Sequence, residues 1–305
     1  MNTFFRSAAV ALCIAAAVQS FTVGYLSPRL SLEVCRPGLR EARVERFAAA
    51  PLFHLINRDG GVQVRTHSGR EIIVEADMRA YTPDAASAAL AADYVASLLE
   101  IEENGDALRI TTEPGHRPEG VDLLVNYVIT LPRGTNLKIE GSNGNVYVAA
   151  GCGDVDVEGN NTDIEIIEPM GGVQARAANG RIIVDESMGS AMLETVNGSI
   201  YAYLLGGSLQ ASTANGNIVA DLMSESVDAC DLTAMNGGIT LAMAEECSAE
   251  VNATTGGGLV RSELLLNEVQ GVQRRHALHG TIGDGRTRLT MNSLNGDIVI
   301  TRSAT

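Results

Sequence analysis

Residues 143–214 read NGNVYVAAGCGDVDVEGN, NTDIEIIEPMGGVQARAA, NGRIIVDESMGSAMLETV and NGSIYAYLLGGSLQASTA, four successive rows of 18, and Asn215-Gly216 opens the next. The rows open on Asn143-Gly144, Asn161-Thr162, Asn179-Gly180 and Asn197-Gly198. Three positions later stands a branched aliphatic: Val146, Ile164, Ile182, Ile200, then Ile218. Two further on come Val148, Ile166, Val184, Ala202 and Ala220. Gly153, Gly171, Gly189 and Gly207 form another column, followed by Val155, Val173, Ala191 and Leu209, then Val157, Ala175, Leu193 and Ala211. A fixed period in this range is the mark of a repeat architecture.

Each row contains two short alternating runs, such as Asn145–Val148 and Asp154–Val157, which read as half-buried strands with aliphatics inward and polar residues outward. Asn-Gly between them supplies positive φ at little steric cost. One row cannot bury its own apolar face; stacked rows of equal length can. Equivalent asparagines would then lie about 4.8 Å apart and could bond along the stack as a ladder. Asn236-Gly237 and Asn295-Gly296 continue the set beyond Asn215-Gly216. The fold expected is all-β: a single-stranded parallel β-solenoid of about 18 residues per coil, right-handed by the crossover chirality of parallel strands.

Three other folds use the same signals. Asn-Gly is a strong hairpin signal, but an antiparallel meander has no reason to keep a constant row. A left-handed hexapeptide helix needs an aliphatic every six residues, and here the apolar pairs recur at nine and nine. A calcium-binding nonapeptide roll needs a repeated carboxylate, whereas the column before the first aliphatic holds Asn145, Asp163, Arg181, Ser199 and Asn217.

Residues 1–27 read as a targeting segment, with Arg6 as positive flank and an apolar run from Ala8 to Val18. Val18-Gln19-Ser20 would suit signal cleavage, and the extension through Leu26 brings the stretch near membrane-spanning length, so a retained anchor over residues 4–26 is the other reading. Either way the chain is exported, to the periplasm or the extracytoplasmic face of a membrane. Residues 28–50, rich in Arg and Glu, read as a linker. Residues 51–142 read as N-terminal strands leading into the solenoid, interrupted by an amphipathic helix at 83–100: Pro83 opens it, and Leu90, Tyr94 and Leu98 share a face. That helix is expected to cap the stack. Residues 143–305 carry the solenoid, with an irregular segment at 261–281.

The net charge of −15 argues against nucleic acid, which needs a basic footprint. The absence of Trp and 4% aromatic content disfavour a sugar-stacking groove. Lys138 is the sole lysine, so no phosphate-binding Gly-x-x-x-x-Gly-Lys loop exists. Among five cysteines, Cys230 and Cys247 are about one row apart and would be within disulfide reach on adjacent rows. His276 and His279 stand near Arg274, but no His-Glu-x-x-His is present. Asp154, Asp156 and Glu158 point outward together, yet the next rows offer Gly172, Gln174 and Arg176, so no carboxylate cluster builds up for polysaccharide cleavage. Asp163 and Arg181 fall in one column and can pair. No catalytic residue, cofactor or metal site is read from the sequence.

The run Tyr127-Val128-Ile129-Thr130-Leu131-Pro132, then Leu137-Lys138-Ile139 and Asn143-Gly144-Asn145-Val146-Tyr147-Val148 with the later Asn-Gly rows, resembles the bacterial β-strand-repeat family labelled putative adhesin, long a domain of unknown function. The ending Gly280-Thr281-Ile282-Gly283-Asp284-Gly285, followed by Asn295-Gly296-Asp297-Ile298-Val299-Ile300, is similar to that family's end. The resemblance covers about residues 55–305. It implies an envelope protein with a β-solenoid head and brings no catalytic residues with it. The function expected is therefore a non-catalytic, adhesin-like binding or scaffold module of the cell envelope, with an envelope protein or surface polymer as partner and the membrane met through the N-terminal segment. A polysaccharide-active enzyme on the same scaffold and an envelope-stress sensor or regulator are the alternatives.

Overall fold

The structure, a computed structural model, describes residues 38–82, 94–95, 97–112, 119, 121–244, 247–267 and 275–303. The whole of the expected targeting segment, residues 1–27, with the chain up to residue 37, and most of the expected helix, residues 83–93 and 96, lie outside the described residues. Among the described residues no helix is long and apolar enough to cross a membrane.

The 18-residue row becomes one coil with two strands. β8 (Asn136–Asn143), β10 (Val155–Asn161), β12 (Val173–Asn179), β14 (Ala191–Asn197), β16 (Gly207–Asn215) and β18 (Val227–Asn236) stack in parallel in one sheet, here sheet B. Each turns at its Asn into a short strand of sheet A: β9 (Val146–Val148), β11 (Ile164–Ile167), β13 (Ile182–Ser187), β15 (Ile200–Leu204), β17 (Ile218–Leu222) and β19 (Ile239–Met243). Registers are in phase with the row: Val155 faces Val173, Val173 faces Ala191 and Ala191 faces Leu209. The longer row before Asn236 is absorbed in two places: part between Leu222 and Val227, where Leu204 faces Leu222 but Gly207 faces Val227, and part by a register shift, Ser208 facing Ala229. Between the sheets lie the inward columns, among them Val157, Ala175, Leu193, Ala211 and Leu232 from sheet B against Val148, Ile166, Val184, Ala202 and Ala220 from sheet A, all buried. Stacking satisfies the backbone groups of every row while removing that apolar surface from water.

Outside the regular rows, order in space departs from order in the chain. β2 (Leu52–Asp59) and β3 (Val62–His67) form a row next to β8–β9, with β6 (Ala107–Thr112) and β7 (Asp122–Pro132) on their far side. At the other end β23 (Thr287–Ser293) and β24 (Ile298–Arg302) insert between β18–β19 and β20 (Ala249–Thr255) with β21 (Val260–Ser262). The last row in sequence is thus second to last in space.

The ends are also antiparallel, so the molecule is not a solenoid of one pairing type throughout. β4 (Glu71–Tyr81) runs against β7, β1 (Gly38–Ala48) against β4, β5 (Leu99–Glu103) against β6, and β22 (Ala277–Ile282) against β20. Three expectations are corrected here. Gly38–Ala48, read as linker, is an edge strand because Leu39 and Phe47 pack on the core while Arg40 and Arg46 pair with Asp77 and Glu71. The helix expected at 83–100 lies mostly outside the described residues; Tyr94 and Val95 are helical, but its expected last turn is not, because Leu99 and Glu100 pair with Thr112 and Thr111 in a β-hairpin. Asn104 drives that hairpin, since its Oδ1 accepts from the Asp106 and Ala107 amides. Within the irregular 261–281 segment, Ala277–Ile282 is strand, and Asn267 bridges Thr281 along its outer edge.

Free edges are managed by charge. On β1 Glu41, Arg43 and Glu45 lie opposite buried Met78, Ala76 and Val74, so this edge points charges inward. β5 carries exposed Glu100, Glu102 and Glu103. Both devices oppose addition of another strand.

Candidate binding face

The asparagine corner is the most ordered feature of the surface. Nδ2 of Asn161 donates to Oδ1 of Asn143 at 2.6 Å, Asn179 to Asn161 at 2.9 Å, Asn197 to Asn179 at 2.7 Å and Asn215 to Asn197 at 2.8 Å. The series crosses both irregular junctions: Asn236 donates to Asn215 at 2.9 Å and Asn295 to Asn236 at 2.8 Å, while Asn143 donates to Asp59 at 2.6 Å. All rungs point the same way. Asp59 closes the ladder with a carboxylate, and Gly257, with no side chain, leaves Asn295 Oδ1 as its open end. Asp59 falls outside the 18-residue count because it lies 84 residues from Asn143 in the chain.

The glycines beside the ladder are needed mainly for space. Only Gly144 and Gly180 of the ladder set have φ in the left-handed region. At Gly198, Gly216 and Gly237 an added Cβ would lie 1.9, 1.9 and 1.8 Å from the carbonyl oxygen of the glycine one row before, and at Gly296 2.1 Å from that of Gly237. The same carbonyls are braced from inside: Thr195 Oγ1 donates to Gly180 O at 3.0 Å, Thr213 to Gly198 O at 2.9 Å and Ser293 to Gly237 O at 3.1 Å. Thr195 and Thr213 therefore face the core, not solvent. Row 161 reverses the pattern. Thr162 takes the glycine's place, Gly159 takes the threonine's, and the Thr162 hydroxyl fills the space a Cβ on Gly159 would need.

Beside this corner the outer face of sheet B is hollow. One cleft of ≈ 480 Å³ is bounded by Arg58, Thr111, Glu140, Ser142, Glu158 and Asn160. A second, also ≈ 480 Å³, continues it past Arg176, Ala178, Glu194, Val196, Ala214 and Met235. Together they span eight rows from β6 to β18, about 34 Å at strand spacing. The column immediately before the ladder forms its apolar shelf: Ala178, Val196, Ala214, Met235 and Leu294, with Val196, Met235 and Leu294 exposed by 51%, 51% and 53%. This column recurs at the row spacing, but its side chains run from Ala to Met and Leu and carry no turn motif that marks them in the sequence. The cleft's charges are largely matched. Arg176 pairs with Glu194 at 3.1 Å and Lys138 with Glu140 at 3.0 Å, while His54 Nε2 lies 3.1 Å from Glu140. Burial lowers the His54 pKa despite the pull of Glu140.

Catalytic readings find little support in this geometry. Glu158 and Glu140 are in register on adjacent strands, but the hydrogen bond from Lys138 holds Glu140 below the usual carboxylate range, opposite to what a general acid needs. His276 Nδ1 lies 2.6 Å from the Gly258 carbonyl, and His279 is paired with Asn252 on β22, so the two do not converge. Among the described residues no three His, Cys, Asp or Glu side chains gather as metal ligands. Asp163 and Arg181 do pair, at 3.4 Å on the surface. The Cys230–Cys247 disulfide is not formed. Cys230 faces Leu209 and Leu289, because β23 separates β18 from β20, while Cys247 Sγ contacts the Leu222 carbonyl at 3.7 Å.

Sheet A's outer face also departs from the expected polar pattern. Tyr147, Ile183, Tyr201 and Val219 share one outward, half-buried column with Glu165. Its second corner carries Glu168 and Glu186 with φ of 43° and 52°. Burial raises the pKa of Glu165, Asp185 and Glu186, and Glu168 adds to the rise at the last two.

A fold of two stacked, mostly parallel sheets with an asparagine corner defines a β-solenoid-like class. The sequence profile of Toastrack DUF4097 matches residues 95–301, more than half of the chain, and the protein belongs to that family. Among solved structures the chain is similar to a putative adhesin from Bacteroides fragilis, with 12% identity and a TM-score of 0.44 over 86% of this chain and 97% of that one. A putative adhesin from Parabacteroides distasonis gives 10% identity and a TM-score of 0.40 over the same shares. No curated protein matches.

Proposed function

We propose that this chain is a non-catalytic, adhesin-like binding module on the extracytoplasmic side of a bacterial membrane, and that its sheet B cleft holds an extended polypeptide segment of an envelope partner. The observation that carries the reading is the long cleft with its exposed aliphatic shelf beside a hydrogen-bonded asparagine corner. A preorganised, rigid wall lowers the ordering cost of binding. Its length suits about ten residues of extended chain. Aliphatic side chains line it, and the tyrosines lie on sheet A, which favours peptide side chains over stacked sugar rings. The targeting segment at 1–27 supports export, and the coil is taken as right-handed from parallel crossover chirality.

A photo-crosslinking residue placed at Val196 in cells, with a matched probe at Tyr201 on the opposite face, tests this. The expected result is a discrete protein adduct from position 196 only. If position 196 labels no protein while the chain still retains a surface polysaccharide, the occupant is a glycan and the peptide reading fails. Cell fractionation with N-terminal sequencing tests export and anchorage separately.

A further inference from the structure

We propose that the asparagine ladder shields its Asn-Gly bonds from deamidation, and that Asn104-Gly105 in the β5–β6 turn is the labile modification site of this chain. The sequence holds seven Asn-Gly pairs, at 104, 143, 179, 197, 215, 236 and 295. Glycine hinders ring closure least, because it has no Cβ. The reaction needs water and hydroxide only. Hydroxide removes the glycine N–H proton, and the nitrogen attacks Cγ of the preceding asparagine. The new N–Cγ bond forms as the Cγ–Nδ2 bond breaks, and the departing amide takes a proton from water to leave as ammonia. Water then opens the succinimide to aspartate or isoaspartate.

At Asn143, Asn179, Asn197 and Asn215 each requirement of that reaction meets a hydrogen bond. The attacking N–H is already donated: Gly144 to Asn161 O at 3.2 Å, Gly180 to Asn197 O at 3.1 Å, Gly198 to Asn215 O at 3.0 Å and Gly216 to Asn236 O at 3.3 Å. The leaving Nδ2 is donated to the Asp59 carboxylate from Asn143 and to the carboxamide of the preceding row from Asn179, Asn197 and Asn215, at 2.6 to 2.9 Å. Both bonds hold the side chain along the stack, away from its own following nitrogen.

Asn104 is the reverse case. It is exposed, and Gly105 has φ of 84° with no atom within 4 Å of where its Cβ would be. Neither the Gly105 N–H nor Asn104 Nδ2 has a hydrogen-bond partner among the described residues. Oδ1 instead accepts from two amides, Asp106 at 3.2 Å and Ala107 at 2.8 Å. Two donors on Oδ1 draw electrons from Cγ and make it a better electrophile. The product would add a carboxylate beside Glu103 and Asp106, at the already acidic edge of sheet B.

The test is peptide mapping by mass spectrometry of the intact protein after incubation in mildly alkaline buffer, native and in urea. In the native protein the Asn104 peptide should convert at least about tenfold faster than those of Asn143, Asn179, Asn197 and Asn215, since two hydrogen bonds must first be given up in the ladder. In urea the seven should converge. Native ladder sites that convert as fast as Asn104 would overturn the proposal, and so would a difference that persists in urea. Asn197→Ala sharpens the test. It removes the acceptor of Asn215 Nδ2, so Asn215 should speed up while Asn143 does not. If that variant fails to fold, the wild-type comparison still decides.

Discussion

The middle of the molecule and its two ends obey different rules. From Asn143 to Leu222, neighbours in space are one row apart in the chain, and the Asn161–Asn143 rung closes over 18 residues. At the ends the same ladder closes over 84 residues, from Asn143 to Asp59, and over 59, from Asn295 to Asn236. The rungs themselves are alike in length. Local periodicity therefore accounts for the middle, while the ends need long loops to close before any contact rewards them. In return, each end row interlocks segments that would otherwise be separate in sequence.

The largest effect should come from breaking the C-terminal interlock. Ending the chain after Gly285 removes β23 and β24, and with them buried Leu289, Met291, Ile298 and Ile300. At about 1.5–3 kcal/mol for each buried aliphatic, the loss rivals the whole stability of a typical domain. We expect no cooperative thermal transition by circular dichroism. A truncated chain that melts like the full one would mean that the inserted row is an ornament on a self-sufficient stack.

The same contrast explains what could be read beforehand. The row length, the asparagine corner and the inward columns repeat at a fixed interval, so each row confirms the next. The intercalated rows carry the same motifs, but nothing local says which row they join; the expected pairing of Cys230 with Cys247 failed for that reason. β1 was missed because Glu41, Arg43 and Glu45 point toward the core side and erase the alternation of a strand. Leu90, Tyr94 and Leu98 fit a helical spacing, which drew the reading across the start of β5, where the pairing with Thr111 and Thr112 prevails. The cleft is a negative feature, and the apolar column along it has no motif of its own.

Glycine substitutions compare middle and junction directly. Gly216→Ala places a Cβ 1.9 Å from Gly198 O, and Gly296→Ala places one 2.1 Å from Gly237 O. Neither backbone carbonyl can move without shifting its row, so both should cost about 3 kcal/mol or more. Chemical denaturation of the two variants checks this. A tolerated Gly296→Ala would show that the junction is looser than the regular stack.

Row 161 offers a finer test inside the regular region. Gly159→Thr alone meets the Thr162 side chain, and Thr162→Gly alone leaves a void. Together they rebuild the arrangement of Thr195 with Gly198 and Thr213 with Gly216. The pair should show a coupling of about 1–3 kcal/mol in a double-mutant cycle. The double variant should be at least as stable as the native chain, because the Thr162 hydroxyl has no hydrogen-bond partner among the described residues. Additive single effects would mean that the corner does not select its hydroxyl position. Removing one rung by Asn197→Ala breaks two side-chain hydrogen bonds and should cost about 1–2 kcal/mol, less than any glycine change, as read from the same denaturation curves.

The smallest effect concerns charge, and here middle and end differ in sign. At Asp77 burial opposes ionisation, but the hydrogen bonds from Arg40 and Arg79 outweigh it and hold the pKa below its usual value. The folded state therefore binds the proton more weakly than the unfolded chain. Stability from this group is present above the normal carboxylate pKa and is lost as pH falls through the depressed one. In the middle, burial raises Asp185, and neighbouring Glu168 raises it further. Its folded pKa lies above the unfolded value, so the charge costs stability at neutral pH, and the cost is relieved as pH falls through the raised pKa. Asp77→Asn should therefore destabilise and Asp185→Asn stabilise at neutral pH, each by a few tenths of a kcal/mol after solvent screening. Below the carboxylate range both differences should vanish. Melting temperatures of the two variants across that range decide the matter: shifts of the same sign would mean that stacking imposes no electrostatic cost of its own on the regular rows.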